Sequence, residues 1–111
     1  MARTNLLFQA LPFEIASSLA ELGKNLKTAR KRRKLSARQV AEKLGVEQRS
    51  VLDAEKGKPT TAISTYAGLL WVYHLIGDMR EMASPMKDTE GLRLAAVHEK
   101  KSIKSELDND F

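Results

Sequence analysis

The stretch Leu35 to Gly57, LSARQVAEKLGVEQRSVLDAEKG, decides how the rest of the chain is read. Ser36 with Gln39 three residues on is a capping box, and Leu35 with Val40 supplies the hydrophobic staple that aims the chain into a helix. That helix begins near Ala37. Val40, Ala41 and Leu44 lie on one stripe of it, and Gly45 stands where a left-handed residue closes a helix. Only Val46 and Glu47 intervene before a second short run, Gln48 to Glu55, in which Val51 and Ala54 point the same way. Val46 and Val51 repeat the staple spacing. Glu47 is an unusual N-cap, although its charge suits a helix N-terminus. Gly57 and Pro59 end the run.

Working outward, Ile15, Leu19, Leu22, Leu26 and Ala29 recur at intervals of three and four, one face of an amphipathic helix from about Phe13 to Lys34. Downstream, Thr60 or Thr61 can cap a fourth helix that carries Ile63, Ala67, Leu70 and His74 and ends at Gly77. A fifth, Asp78 to Ala83, stops at Ser84 and Pro85. Beyond them Leu92, Leu94 and Ala96 alternate like a short strand, whereas Leu94, Val97 and Lys101 suit a helix, and both readings stay open. The last stretch, Glu99 to Phe111, has only Ile103, Leu107 and Phe111 as anchors and reads as a flexible tail, either frayed or ordered by a partner or a second copy. The expected architecture is all-α: an N-terminal extension over 1–12, a five-helix domain over 13–85 and a C-terminal tail over 86–111.

With 111 residues, 42% of them hydrophobic and 30% charged, the chain has the length of one domain and enough apolar content to bury a core. The absence of cysteine removes disulfide scaffolds, thiolate metal sites and cysteine nucleophiles, and suits a reducing compartment such as the cytoplasm. No apolar run approaches the roughly 20 residues of a membrane span. The net charge of +5 is unevenly placed. Residues 1–58 carry 13 basic against 6 acidic side chains, a balance of +7, and residues 59–111 carry 6 against 8, a balance of −2. From Lys24 to Lys34 there are seven basic residues (Lys24, Lys27, Arg30, Lys31, Arg32, Arg33, Lys34) and no acid, a field that favours polyanions.

Two short helices joined by a tight turn containing glycine form the helix-turn-helix signature, whose second helix enters the DNA major groove. The outward positions of Gln48 to Glu55 are Gln48, Arg49 and Ser50, then Leu52 and Asp53. Glutamine can bind adenine, arginine can grip guanine O6 and N7, leucine can touch a thymine methyl, and aspartate can accept from cytosine N4. No catalytic constellation competes. His74 and His98 lack an i,i+4 partner, no carboxylate spacing suggests a metal, and no glycine-rich phosphate loop is present, so neither an enzyme nor a bound cofactor is expected. Met79, Met82 and Met86 beside Trp71 read as core or dimer-seam filling.

Leu22 to Pro59 resembles the XRE family of lambda-repressor-like helix-turn-helix regulators. The match is carried by Arg30, Leu35-Ser36, Val40-Ala41, Leu44-Gly45-Val46, Ser50-Val51 and Glu55-Lys56-Gly57. It implies an ion pair between Arg30 and Glu55, and sugar-phosphate contacts from Ser36, Ala37 and Arg38 and from Lys56, Lys58, Thr60 and Thr61. Where phage repressors often carry an amide side chain, Ala37 stands, so that contact is expected either to be weaker or to move to Arg38. Over nearly the whole chain, Leu11-Pro12, Leu22-Gly23, Ala29-Arg30, Arg32-Arg33, Pro59, Leu70-Trp71, Ala83-Ser84-Pro85, Asp88 and Gly91 resemble the HipB-like antitoxins encoded beside HipA-type kinases. That narrower likeness implies a homodimer on a palindromic operator and a HipA-like serine/threonine kinase toxin as partner. Glu47 and Asp53 depart from the pattern, so the operator sequence does not transfer. The dimer contacts are expected from Leu69, Leu70, Trp71, Tyr73, Ile76, Met79 and Met82, with the segment after Gly91 as a further candidate. A stand-alone XRE regulator and a pure protein-interaction adaptor are the alternatives, and an adaptor would lack the steep salt dependence of DNA binding.

Overall fold

The computed structural model describes residues 6–109. Its helices are α1 (Leu6–Gln9), α2 (Phe13–Arg32), α3 (Ala37–Leu44), α4 (Gln48–Glu55), α5 (Ile63–Val72), α6 (Ile76–Arg80) and α7 (Thr89–Asn109), and no strand occurs among the described residues. The fold is all-α, and the five helices expected of the central domain are α2 to α6. Two more lie outside them. The alternation at Leu92, Leu94 and Ala96 is resolved as helix, and the stretch read as a tail is helical through Asn109. Phe111, expected as an anchor of that stretch, lies outside the described residues. The local cause of α7 is Asp88, whose Oδ1 accepts from the Gly91 N–H at 2.9 Å and whose carbonyl accepts from the Leu92 N–H at 3.0 Å, an N-terminal cap that starts the helix.

The chain divides into two compact units, the first closing at Met79 and the second opening at Arg80. In the first, α4 is the hub: it packs against α2, α3 and α5, and α3 packs against α5. The core comprises Leu26 and Ala29 of α2, Ala37, Val40 and Ala41 of α3, Val51 and Ala54 of α4, Tyr66 and Leu69 of α5, and Tyr73. In the second unit, Leu92, Ile103 and Leu107 of α7 are each more than half exposed.

Local signals set the ends of α3. Gln39 N–H donates to Ser36 Oγ while Gln39 Oε1 accepts from the Ser36 N–H, and Gly45 closes the helix in the left-handed region at φ 68°. Two other helices end on left-handed residues that are not glycine. Lys34 at φ 55° stops α2 at Arg32, with Leu35 N–H reaching back to the Arg30 carbonyl, and His74 at φ 60° stops α5 at Val72, with Leu75 N–H donating to the Leu70 carbonyl at 2.7 Å. The expectation that the fourth helix runs to Gly77 is therefore corrected: His74 lies past its end and Gly77 sits inside α6. Thr60 and Thr61 do not cap that helix either. Its N-cap is Ala62, which makes no side-chain hydrogen bond. The fifth helix runs from Ile76 to Arg80 rather than from Asp78 to Ala83, and Ala83 is itself left-handed at φ 57°.

Candidate nucleic-acid interface

What fixes α4 is backbone contact. A Cβ added at Gly23 of α2 would lie 2.5 Å from the Glu55 carbonyl oxygen, 2.6 Å from that of Ala54 and 2.7 Å from the Gly57 nitrogen. A Cβ at Gly57, which is itself left-handed at φ 70°, would collide with the Leu19 carbonyl. Helix α2 and the end of α4 thus meet main chain to main chain, a closeness that only glycine on each side permits. Neither glycine was legible as a contact in the sequence.

Beside this contact, Arg30 Nε donates to Glu55 Oε2 at 2.6 Å, its Nη2 to Glu55 Oε1 at 3.0 Å and its Nη1 to the Leu35 carbonyl at 3.0 Å. One guanidinium therefore ties α2 to the last turn of α4 and to the turn that leads into α3. The pair is nearly enclosed, its side chains 11% and 4% exposed. The hydrogen bond that Arg30 donates to Glu55 holds the Arg30 pKa above its usual value, against the opposing effect of burial. Arg33 makes a second tie that the sequence did not suggest. Its Nη1 donates to the Ala29 carbonyl and its Nη2 to the Tyr73 carbonyl, and the guanidinium lies 5.4 Å from the centre of the Tyr73 ring. Of the seven basic residues in the α2 run, two serve the fold. Lys24, Lys27, Lys31, Arg32 and Lys34 are exposed, and among the described residues their side chains have no partner.

Tyr73 is fully buried, its hydroxyl without a hydrogen-bond partner among the described residues. Burial first, then the Glu55 carboxylate, push its pKa up from 10.0 to about 12, against Arg30 and Arg33. A tyrosine pKa raised by folding gives stability that is complete below the unfolded value and is lost as pH climbs through the folded one. The domain should lose about 2–3 kcal/mol between pH 10 and 12. Tyr73→Phe should remove most of that slope in urea midpoints measured across the window, with Tyr66, also raised chiefly by burial, supplying the remainder.

The outer face of α4 carries Gln48 and Arg49, both exposed, with Ser50 half-buried behind them. Leu52, expected to face outward, is half-buried and packs on the core. Asp53 is also drawn in: its carboxylate is 19% exposed, 3.3 Å from Arg49 Nε and 3.8 Å from Lys58 Nζ. At the start of α3, Ser36 and Arg38 are exposed, whereas the Ala37 side chain turns into the core and leaves only its backbone on that edge. Arg38 meets Glu42 at 3.3 Å in a pair so exposed that DNA phosphate can displace it at little cost. After α4, Lys56, Lys58 and Thr60 are exposed and Thr61 is half-buried. The loop is pinned by Tyr66 Oη donating to the Lys58 carbonyl at 3.0 Å.

The residues expected at a dimer seam divide in two. Leu69 and Tyr73 are fully buried in the chain's own core and offer no surface to a second copy, a correction to their expected role. Leu70, Ile76 and Met79 are half-buried, and Trp71 and Met82 are 63% and 66% exposed.

A short helix, a left-handed turn and a second short helix bolted to a third element define a helix-turn-helix protein. The family model of the helix-turn-helix domain matches residues 21–83, and the chain belongs to that family, which supports an XRE-like DNA-binding regulator. No curated protein and no solved structure matches the chain. Among the described residues no helix is long and apolar enough to cross a membrane, and no group of three or more His, Cys, Asp or Glu residues is placed to hold a metal ion.

Proposed function

We propose that the chain is a sequence-specific transcriptional repressor that binds a palindromic operator as a homodimer in the cytoplasm, and that it serves as the antitoxin of a type II toxin-antitoxin operon by also binding a HipA-like kinase. The observation that carries the DNA-binding part is the exposed pair Gln48 and Arg49 at the N-terminal turn of α4, flanked by Ser36 and Arg38 before it and by Lys56 and Lys58 after it. In that arrangement Gln48 and Arg49 meet base edges. The backbone amides at the start of α3, Arg38 and the loop lysines meet phosphate. The antitoxin part is supported by the residue pattern shared with HipB-like proteins from Leu11 to Gly91.

Affinity for a selected duplex should fall steeply with added salt, and two substitutions should behave differently. Arg49→Ala should flatten preference at one base position, whereas Arg38→Ala should weaken operator and scrambled DNA alike. Equal losses on both duplexes for Arg49→Ala refute its base-reading role. Co-purification with the product of a neighbouring kinase gene tests the antitoxin role, and a chain that represses its own promoter without such a partner is a stand-alone regulator.

A further inference from the structure

We propose that Asp53 reads no base but sets the aim of Arg49, so that preference for guanine at one position of the bound DNA depends on a carboxylate that never touches it. This role presupposes the DNA-binding reading above and adds a specificity determinant to it. The Asp53 side chain is 19% exposed, against 73% for Arg49 and 50% for Lys58. A carboxylate sunk between two cations that both reach further into solvent stands behind them, so the cations meet an approaching base edge before it does.

Arg49 lies one turn before Asp53 on the same face, and its closest approach to the carboxylate is through Nε, at 3.3 Å. A guanidinium held at Nε still has its terminal edge free. That edge presents the two parallel N–H groups that match O6 and N7 of guanine. Holding the stem before DNA arrives removes part of the ordering cost that a loose arginine incurs on binding. The second cation beside the carboxylate, Lys58, has a fixed backbone, since its N–H donates to the main-chain carbonyl of Asp53 at 3.1 Å and its own carbonyl accepts from Tyr66 Oη. Asp53 is thus a positioning residue, stationed between the base-reading helix and the phosphate-facing loop.

The role has a signature in which two affinities move in opposite directions. Removing the carboxylate takes a negative charge away from the DNA face, so sequence-independent binding strengthens. The aim of Arg49 is lost at the same time, so discrimination falls. A duplex enriched from a random library by the full wild-type chain, its single-position variants and a scrambled duplex of equal composition would be titrated with the wild type, Asp53→Asn, Arg49→Ala and the double variant. Asp53→Asn is expected to bind the scrambled duplex several-fold tighter, yet to lose about tenfold in guanine discrimination at the position that Arg49→Ala flattens. The double variant should lose no more discrimination than Arg49→Ala alone, and Asp53→Glu should restore part of it. Unchanged guanine discrimination in Asp53→Asn overturns the proposal. So does a loss at a cytosine position that Arg49→Ala leaves alone, or an equal weakening on both duplexes with a lowered thermal midpoint. If the wild type enriches no duplex, the DNA-binding reading fails and this role with it, whereas enrichment with an unaltered Asp53→Asn profile refutes this role alone.

Discussion

Gly57→Ala is expected to cost on the order of 3–5 kcal/mol, enough to leave the domain largely unfolded at ordinary temperature. Two penalties combine. The left-handed backbone at φ 70° costs any L residue about 1–2 kcal/mol. The new methyl also strikes the Leu19 carbonyl of α2, a main-chain group that cannot rotate away as a side chain would. Gly45 separates the two effects, because it is also left-handed, at φ 68°, yet nothing lies within 4 Å of the place its methyl would take. Gly45→Ala should therefore show the conformational penalty alone. Gly23→Ala should show the collision alone, since its Cβ would lie 2.5 Å from the Glu55 carbonyl oxygen. Urea denaturation of the three variants decides the matter, and a Gly57→Ala midpoint no lower than that of Gly45→Ala would disprove the main-chain contact.

The second large effect is at the enclosed ion pair. Arg30→Ala or Glu55→Ala should each cost about 3–5 kcal/mol, because each leaves a charge in a site with almost no water to solvate it. Arg30→Lys should rescue little, since a lysine ammonium cannot span both Glu55 oxygens and the Leu35 carbonyl together. A double replacement by Met and Leu should recover much of the loss, as uncharged side chains carry no comparable desolvation penalty. Thermal unfolding of all four chains checks this ordering. Single variants within about 1 kcal/mol of the wild type would mean that the pair is solvated and ordinary.

How much was legible depended on how far each signal reaches along the chain. The capping box of Ser36 and Gln39, the left-handed Gly45 and the limits of α4 were all readable, because each is decided within a few residues of itself. The positive balance of residues 1–58 was likewise a property of the sequence. Gly23 was not readable as a contact, since a glycine in mid-helix looks like a lapse in propensity until the helix that crosses it is in place. Arg33 counted as one more surface charge until Tyr73, forty residues on, came beneath it. Leu69 and Tyr73 looked like seam residues because an apolar helix face does not say whether its own core or another copy covers it. Leu52 and Asp53 were placed outward by helical phase alone, which gives direction but not depth. The left-handed His74 carries no sequence signal, because glycine is the usual occupant of such a position and Gly77 stands nearby as a decoy.

The division of α4 into an inner and an outer set of residues has an evolutionary corollary. Val51, Ala54 and Glu55 are bound to the fold, while Gln48 and Arg49 stand clear of the core. Under the proposed base-reading role, paralogues arising by gene duplication could drift apart in target sequence through changes at the outer pair while keeping an identical scaffold. If the proposal holds, the helix is a convenient place to build mutually insulated gene switches: exchanging the outer pair, with Asp53 retained beneath it, would rewrite the address without unsettling the body that carries it.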